Sequence, residues 1–172
     1  LAFLDSQSAH ISNEEILHSV LRDLRKQVML RLAIRDLSSQ ADLSEVMLSM
    51  TELAEVTINF ALKHHENWLT QSDRFGLPIG EQSNTTQHML IVAMGKLGGG
   101  ELNVSSDVDL IFVYPEDGET NGAKSISNHE FFARLGRKLI ASLNDYTVDG
   151  YVFRVDMRLR PHGENSPLAI SF

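Results

Sequence analysis

Two aspartates separated by one residue stand just before an apolar segment. Asp107 and Asp109 lead into the run 110–114, Leu-Ile-Phe-Val-Tyr. Because side chains alternate along a strand, both carboxylates are expected on one face, one repeat apart. Two like charges so close together are unfavourable unless a cation lies between them. Since all-oxygen ligand sets suit Mg²⁺ or Mn²⁺, the pair indicates a divalent-metal site.

A third aspartate lies in the segment 150–159, where apolar and polar residues alternate as in a half-buried strand. Asp156 shares the polar face of that predicted strand with three arginines. These are Arg154, Arg158 and Arg160. A solvated polar face explains the alternation by itself. If this strand neighbours the one with the aspartate pair, three carboxylates could hold two metal ions, which clamp the oxygens of an in-line displacement at phosphorus. The planar guanidinium group of arginine can donate two parallel hydrogen bonds to phosphate oxygens.

A glycine-rich loop separates the apolar run 89–94 from the aspartate pair. Gly98, Gly99 and Gly100 have no Cβ, so the backbone can approach a ligand closely there. Lys96 precedes the glycines, so the residue order of a P-loop is absent. A strand starts directly after the aspartates, which leaves no room for the long helix of a dinucleotide-binding fingerprint. A phosphate-binding loop and a purely structural tight turn remain as alternatives.

Two long amphipathic helices are predicted ahead of these strands. Apolar residues recur at helical spacing over about 13–39, where Ser12 is the expected N-cap, and again over 42–70, where Asp42 is the expected N-cap. The short link between them predicts antiparallel neighbours. His64 and His65 are adjacent on the second helix, so they point about 100° apart and are interpreted as a solvated pair near the helix end.

The remaining segments contain two more strands, a helix and the loops between them. Residues 76–87 are predicted to be a linker, 89–94 a strand buried on both faces, and 115–122 an exposed acidic loop. An amphipathic helix over 131–143 crosses back to the third strand. This order of helices and strands fits an α/β or an α+β fold. We divide it into a helical arm, 1–80, and a core, 81–172.

Composition excludes several classes of protein. The 172 residues are 42% hydrophobic and 22% charged, which is ordinary for a globular domain. A formal net charge of -8 argues against nucleic acid as the main partner. No apolar stretch approaches the roughly 20 residues of a membrane span. The absence of cysteine excludes disulfides and thiolate metal sites, and it fits a cytoplasmic protein. The first residue is not Met, so we expect a piece of a longer chain, truncated at its C-terminus.

Two segments resemble the signatures of a known family. Residues 94–115, Met-Gly-Lys-Leu-Gly-Gly-Gly-Glu-Leu-Asn-Val-Ser-Ser-Asp-Val-Asp-Leu-Ile-Phe-Val-Tyr-Pro, resemble the nucleotidyltransferase signature of bacterial glutamine synthetase adenylyltransferase, also called adenylyl-removing enzyme. Residues 154–161 resemble its second signature, 131–136 fit its intervening helix, and 21–31 match more loosely. The resemblance implies an α+β fold, a polymerase-β-like nucleotidyltransferase with a small mixed sheet, preceded by a long antiparallel helical hairpin.

The family's members carry two related halves, one that removes AMP from a tyrosine of glutamine synthetase and one that attaches it. Residues 161–172 look more like the removing half, in which phosphate attacks the adenylyl group and ADP leaves. The alternative is the attaching half, which transfers AMP from ATP. An alternative of another class is an inactive regulatory module that binds nucleotide or a partner protein. The implied partners are glutamine synthetase, ADP or ATP, phosphate and, through the full-length chain, the PII signal protein.

The resemblance also implies roles for single residues. Asp107 and Asp109 would each ligate Mg²⁺, with Mn²⁺ as a substitute, and Asp156 would hold the ion that activates the nucleophile. The implied phosphate contacts are the backbone amides of Gly98 and Gly99 and the side chains of Lys96, Ser106 and Arg158. For Ser106 a turn role remains open, and for Lys96 that of a solvated loop charge.

Overall fold

The computed structural model describes residues 2–161 and 166–172. Within them the helices are α1 (Ala2–Ser8), α2 (Glu14–Leu37), α3 (Leu43–Leu69), α4 (Gly95–Gly98) and α5 (Asn128–Asn144). The strands are β1 (Pro78–Gly80), β2 (Leu90–Met94), β3 (Val108–Tyr114), β4 (Gly118–Thr120), β5 (Val155–Asp156) and β6 (Ala169–Ser171). None of the helices in this part of the chain combines the length and apolar character that crossing a bilayer requires.

The helices α2 and α3 form the antiparallel hairpin that the periodicity predicts. The Asn13 side chain accepts a hydrogen bond from the Ile16 amide at 3.0 Å, and Asp42 accepts one from the Glu45 amide at 2.8 Å. Both helix starts are therefore capped by side-chain oxygens, and the N-cap of α2 is Asn13 instead of the predicted Ser12. Across the short link, Arg35 donates to both carboxylate oxygens of Glu45 at 2.7 and 2.9 Å. This fork–fork pair joins the end of α2 to the start of α3.

Strand β3 is the centre of a four-stranded mixed sheet. β2 pairs antiparallel with one edge of β3, and β5 and β6 pair parallel with the other edge. Alternate residues of β3 are buried, and helix α5 covers that face of the sheet. The buried apolar residues of the helices and the sheet form one continuous cluster. The α+β class with a small mixed sheet and two long preceding helices is thus confirmed.

Strand β2 is more exposed than its apolar sequence predicts. The run 89–94 was expected to be buried on both faces, but Leu90 is 50% exposed and Val92 is 41% exposed. The reason is topological, because β2 lies at the edge of the sheet and α5 covers only the opposite face. Met94 completes this open apolar stripe, 36% exposed, opposite Asp109 of β3.

The third predicted strand is much shorter than the alternation over 150–159 suggests. Only Val155 and Asp156 pair with β3. Ahead of them, the amides of Val152 and Phe153 both donate to the Leu143 carbonyl, at 2.8 and 3.0 Å. The chain is therefore tied to the end of α5 instead of continuing a strand ladder.

The segments predicted as a linker, 76–87, and as an exposed loop, 115–122, form regular structure together. β1 and β4 pair antiparallel as a separate two-stranded sheet. The buried side chain of Asn128, at the start of α5, donates to the Ile79 carbonyl at 2.9 Å and to the Glu116 carbonyl at 3.1 Å. These short strands are missed because three residues are too few to show a periodicity.

Gly136 lies where α5 crosses the sheet, and Gly136→Ala is expected to lower the free energy of unfolding by about 1–3 kcal/mol. An added Cβ would lie 2.8 Å from Cδ2 of Phe112 and 3.3 Å from Leu168. This overlap outweighs the better helix propensity of alanine, worth about 1 kcal/mol. Urea unfolding of both proteins measures the difference. The matched control is Gly99→Ala, where the nearest atom would be at 3.6 Å and we expect a change within about 0.5 kcal/mol. Equal effects at both positions would contradict the packing argument.

Three helices meet at one buried hydroxyl group. Nε2 of His65 lies 2.7 Å from Oγ of Ser142, and Nε2 of His18 lies 3.0 Å from the same oxygen. His65 is fully buried, so the interpretation of His64 and His65 as a solvated pair is wrong for His65. Burial lowers the pKa of His65 to about 4, because the charged imidazolium would lose its hydration.

This pKa predicts a pH-dependent stability. Between pH 6.5, the ordinary value, and about 4, the unfolded chain binds a proton that folded His65 does not. The free energy of unfolding therefore rises with pH across this window, by about 3 kcal/mol. This contribution of His65 is complete above the window. Urea unfolding at a series of pH values measures the slope. We expect His65→Gln to flatten it and the exposed control His129→Gln to retain it. An unchanged slope in His65→Gln would refute the assignment.

Candidate metal and nucleotide site

Two of the three predicted carboxylates lie side by side on adjacent parallel strands. Asp109 of β3 is the register partner of Asp156 of β5. Residues paired in this way project to the same face of a sheet. The strand neighbourhood that the three-carboxylate hypothesis requires is therefore present. Asp156 keeps 14% of its side chain exposed. The carboxylate is thus largely shielded from solvent but still accessible to a ligand.

Gly95 makes room for the Asp109 carboxylate. Its φ of +54° lies in the left-handed region that glycine adopts at little cost. An added Cβ at this position would lie 2.6 Å from Oδ2 of Asp109. Gly95 is thus needed both for its backbone conformation and for its lack of a side chain. It is not among the sequence-predicted site residues. The available signal is a glycine that ends an apolar strand shortly before an acidic pair.

Asp107 lies just ahead of β3 and is held by an arginine from the third predicted strand. Nε of Arg154 donates to Oδ1 of Asp107 at 2.5 Å, and its Nη2 donates to the Ser105 carbonyl at 3.0 Å. Both charged side chains are largely exposed. An exposed pair of this kind contributes little to stability. Its effect is to place a guanidinium group beside one of the predicted metal ligands.

Asp156 is held in a similar way by Arg158. The Arg158 backbone amide donates to Oδ1 at 2.8 Å, its Nε donates to Oδ2 at 2.8 Å, and its Nη2 donates to Oδ2 at 2.5 Å. The bonds from the Arg158 side chain, followed by the one from its backbone, hold the pKa of Asp156 below the ordinary value. Asp156 is therefore ionised at neutral pH, as a metal ligand must be.

The three aspartates do not form one common metal-binding site in this structure. Across residues 2–161 and 166–172, no three histidine, aspartate or glutamate side chains are grouped so that they could hold one ion. Asp109 and Asp156 are neighbours, whereas Asp107 and Asp156 each bind a guanidinium group. The donor chemistry still fits a hard cation such as Mg²⁺, because all three groups are carboxylates at one end of the sheet. A metal ion at Asp156 would compete with Arg158 for both carboxylate oxygens, whereas Arg154 is bonded to Asp107 through Oδ1.

The glycine loop folds into the short helix α4 and the turn that follows it. The amide of Gly99 donates to the Gly95 carbonyl at 3.1 Å, so it is engaged within the turn. An added Cβ at Gly98 would lie 2.5 Å from the Ala93 carbonyl oxygen, which explains this glycine by close packing onto β2. The alternative of a structural tight turn thus has support at Gly98. Phosphate binding by the amides of Gly98 and Gly99 stays a prediction.

Lys96 and Ser106 are brought together at the mouth of this loop. Nζ of Lys96 lies 3.4 Å from Oγ of Ser106, which also accepts a hydrogen bond from the Asn103 amide at 3.3 Å. The Ser106 amide in turn donates to the Asn103 carbonyl at 3.1 Å. These bonds match the turn role considered for Ser106. They also place a cation beside the hydroxyl of the residue that precedes Asp107, and phosphate contact by Lys96 or Ser106 stays a prediction.

The fold and the site together define an α+β, nucleotidyltransferase-like domain with acidic residues at the end of its central strand. The family model for glutamate-ammonia ligase adenylyltransferase matches residues 3–172, and the chain belongs to this family.

Relatives of high identity cover nearly the whole chain. A bifunctional glutamine synthetase adenylyltransferase/adenylyl-removing enzyme of Nitrosomonas eutropha is 70% identical over 99% of this chain. Proteins of the same name from Nitrosomonas europaea and Chromobacterium violaceum are 69% and 56% identical over 99% and 92% of it. The chain spans only 18% of the length of the two Nitrosomonas relatives and 17% of the third.

Proposed function

We propose that the chain belongs to the nucleotidyltransferase unit that removes AMP from adenylylated glutamine synthetase, a step that regulates nitrogen assimilation. The relatives support this proposal, since their name joins an adenylyltransferase and an adenylyl-removing enzyme. The observation that carries it is the register that places Asp109 beside Asp156. The family resemblance also supports a cytoplasmic protein that responds to the PII signal protein through its full-length chain.

The choice of the removing half depends on the sequence at the end of the chain. Residues 161–172 resemble the stretch that follows the second signature in that half. Part of this stretch, 162–165, lies outside the described residues, and Ala169–Ser171 form β6 beside β3. The attaching half remains the alternative, and it uses the same groups at the adenylyl phosphorus.

In the proposed reaction, an oxygen of inorganic phosphate forms a bond to the phosphorus of the adenylyl-tyrosine. The bond from that phosphorus to the tyrosine oxygen breaks, and the tyrosine oxygen takes up a proton. The products are ADP and unmodified glutamine synthetase. Asp107, Asp109 and Asp156 would hold Mg²⁺, or Mn²⁺ in its place. Such ions neutralise negative charge on the phosphoryl oxygens.

The basic residues around the aspartates would bind and orient the phosphate groups. Arg154 and Arg158 lie against two of the carboxylates, so a released guanidinium group would already be at the reaction centre. Their planar forks match two phosphate oxygens at once. Lys96 would add a further positive charge next to the Ser106 hydroxyl. Each of these contacts orders the phosphate for an in-line approach.

The direct test uses the full-length protein, adenylylated glutamine synthetase, Mg²⁺ and inorganic phosphate. We expect ADP to form in step with the loss of AMP from glutamine synthetase, and neither to occur without phosphate. A parallel reaction with unmodified glutamine synthetase and ATP measures the attaching activity.

Because the full-length relatives are named for both activities, the variant that decides the assignment is Asp156→Asn. Selective loss of the removing activity supports the proposal. Selective loss of the attaching activity would assign the chain to the attaching half, and retention of both would exclude this site from either reaction.

A further inference from the structure

Helix α2 holds the segment that leads into β5. The guanidinium group of Arg25 lies 5.2 Å from the ring centre of Tyr151 and 5.7 Å from that of Phe153. Between these rings, Nε of Arg25 donates to the Val152 carbonyl. One side chain of the helical arm therefore contacts three consecutive residues of this segment, through a hydrogen bond and two cation–π contacts.

A second arginine, one turn earlier on α2, holds the preceding turn. Arg22 is 1% exposed, and its guanidinium group donates to carbonyl oxygens of Gly150 at 2.8 Å, Ser142 at 3.1 Å and Asp145. Helix α5 has no basic residue in its own last turn. Arg22 thus supplies from another helix the cation and the donors that a helix C-terminus lacks.

The segment held in this way ends at a predicted metal ligand. Val152 and Phe153 are fully buried, and three residues after Phe153 comes Asp156. β5 has only two residues, so its pairing with β3 provides few ladder bonds. The amide of Val155 is tied to the Asn144 side chain at 3.1 Å, again at the end of α5. The position of Asp156 therefore depends on anchors ahead of the strand more than on the strand itself.

We propose that Arg25 is a positioning residue for the candidate site. By holding the main chain at 151–153, it keeps β5 in the register that places the Asp156 carboxylate beside that of Asp109. The helical arm is then part of the catalytic apparatus, although Arg25 does not touch the reacting groups. The catalytic consequence rests on the proposed function, whereas the effect on the main chain does not.

The test compares Arg25→Met with Arg31→Met in the full-length protein. Both replacements lie on α2, and Arg31 is exposed. We expect Arg25→Met to lower kcat for adenylyl removal about ten- to a hundredfold, because misplacement of a catalytic group by about 1 Å costs that much. We expect KM for glutamine synthetase and for phosphate to stay within about twofold, since Arg25 contacts neither substrate. Arg31→Met should resemble the wild type in all three constants.

A second readout separates this proposal from the proposed function. Hydrogen exchange of the Val152, Phe153 and Val155 amides should become about tenfold faster in Arg25→Met than in Arg31→Met. If Asp156→Asn left adenylyl removal unchanged, the proposed function would fail, and the exchange data alone would decide the structural claim. Equal kcat values in Arg25→Met and wild type, where Asp156→Asn does slow adenylyl removal, or equal exchange in the two variants, would overturn the positioning role.

Arg25→Lys covers the case in which Arg25→Met does not fold. It keeps a cation near the two rings but loses the planar fork and its Nε–H donor. We expect a folded protein with a kcat between those of the wild type and Arg25→Met, about three- to tenfold below the wild type. A kcat equal to that of the wild type, together with unchanged exchange at the Val152 amide, would show that the contact to the Val152 carbonyl does not position Asp156.

Discussion

Asp109→Asn in the full-length protein is expected to slow adenylyl removal at least about a hundredfold, because the proposed metal ligand would contribute several kcal/mol through ions that neutralise phosphoryl charge. The replacement keeps the size of the side chain, so the contact with Gly95 is preserved and only the charge is lost. In this variant, Asp156 is the only carboxylate left in the register pair of residues 109 and 156. The measurement is the initial rate of ADP formation at saturating phosphate and glutamine synthetase.

The matched control is Asp73→Asn, an exposed aspartate in the turn after α3, which should keep the wild-type rate. Thermal unfolding should show Asp109→Asn to be no less stable than the wild type, since a repulsion between neighbouring carboxylates is removed. Calorimetry with Mg²⁺ and ADP tests the alternative of an inactive nucleotide-binding module. Unchanged nucleotide binding, with more than half of the wild-type rate retained, would rule out the metal-ligand role of Asp109.

Arg22→Met is expected to lower the free energy of unfolding by about 3–5 kcal/mol, the largest effect on stability that we predict. The guanidinium group is buried, and besides the contacts to α5 and the following turn it donates to the His18 carbonyl at 3.0 Å. Methionine fills a similar volume but leaves these buried carbonyl oxygens without their donor. Burial lowers the pKa of Arg22 as well. Urea unfolding of the 172-residue chain measures the loss.

Arg31→Met on the same helix is the control, and it should change the unfolding free energy by less than about 0.5 kcal/mol. Arg22→Lys is a useful intermediate, because a single ammonium group cannot reach carbonyls in so many directions. We expect it to lose about 1–3 kcal/mol. If Arg22→Met were as stable as Arg31→Met, the buried hydrogen bonds would not be the link between α2 and α5 that we describe.

The features predicted well from the sequence depend on residues that are close together along the chain. The helices α2 and α3 follow from apolar spacing over more than twenty residues each, and Asp42 is the N-cap that its position suggests. The placement of β2, β3 and α5 follows from apolar runs and an amphipathic stretch. The order of these elements left α/β and α+β open, and the family resemblance favoured the α+β class.

The features missed depend on contacts between distant parts of the chain. Arg22 lies at helical spacing beside the apolar stripe of α2, but only the approach of α5 buries it. His65 is buried for the same reason, since its partner Ser142 lies 77 residues away. The exposure of β2 could not be inferred either, because an apolar strand has the same sequence at the edge of a sheet as in its centre.

The amino-acid sequence by itself determined the chemistry that this protein can offer: three aspartates, flanking arginines and a glycine turn, in an order typical of one family. Residue types and spacing are enough for that, because ligand preference and charge belong to individual side chains. Only the tertiary structure decided which of these groups are neighbours. β5 pairs with β3 in the register that joins Asp109 to Asp156, and the arginines of α2 hold the chain that leads there. A two-residue strand cannot specify its own register, so packing against distant helices has to supply it.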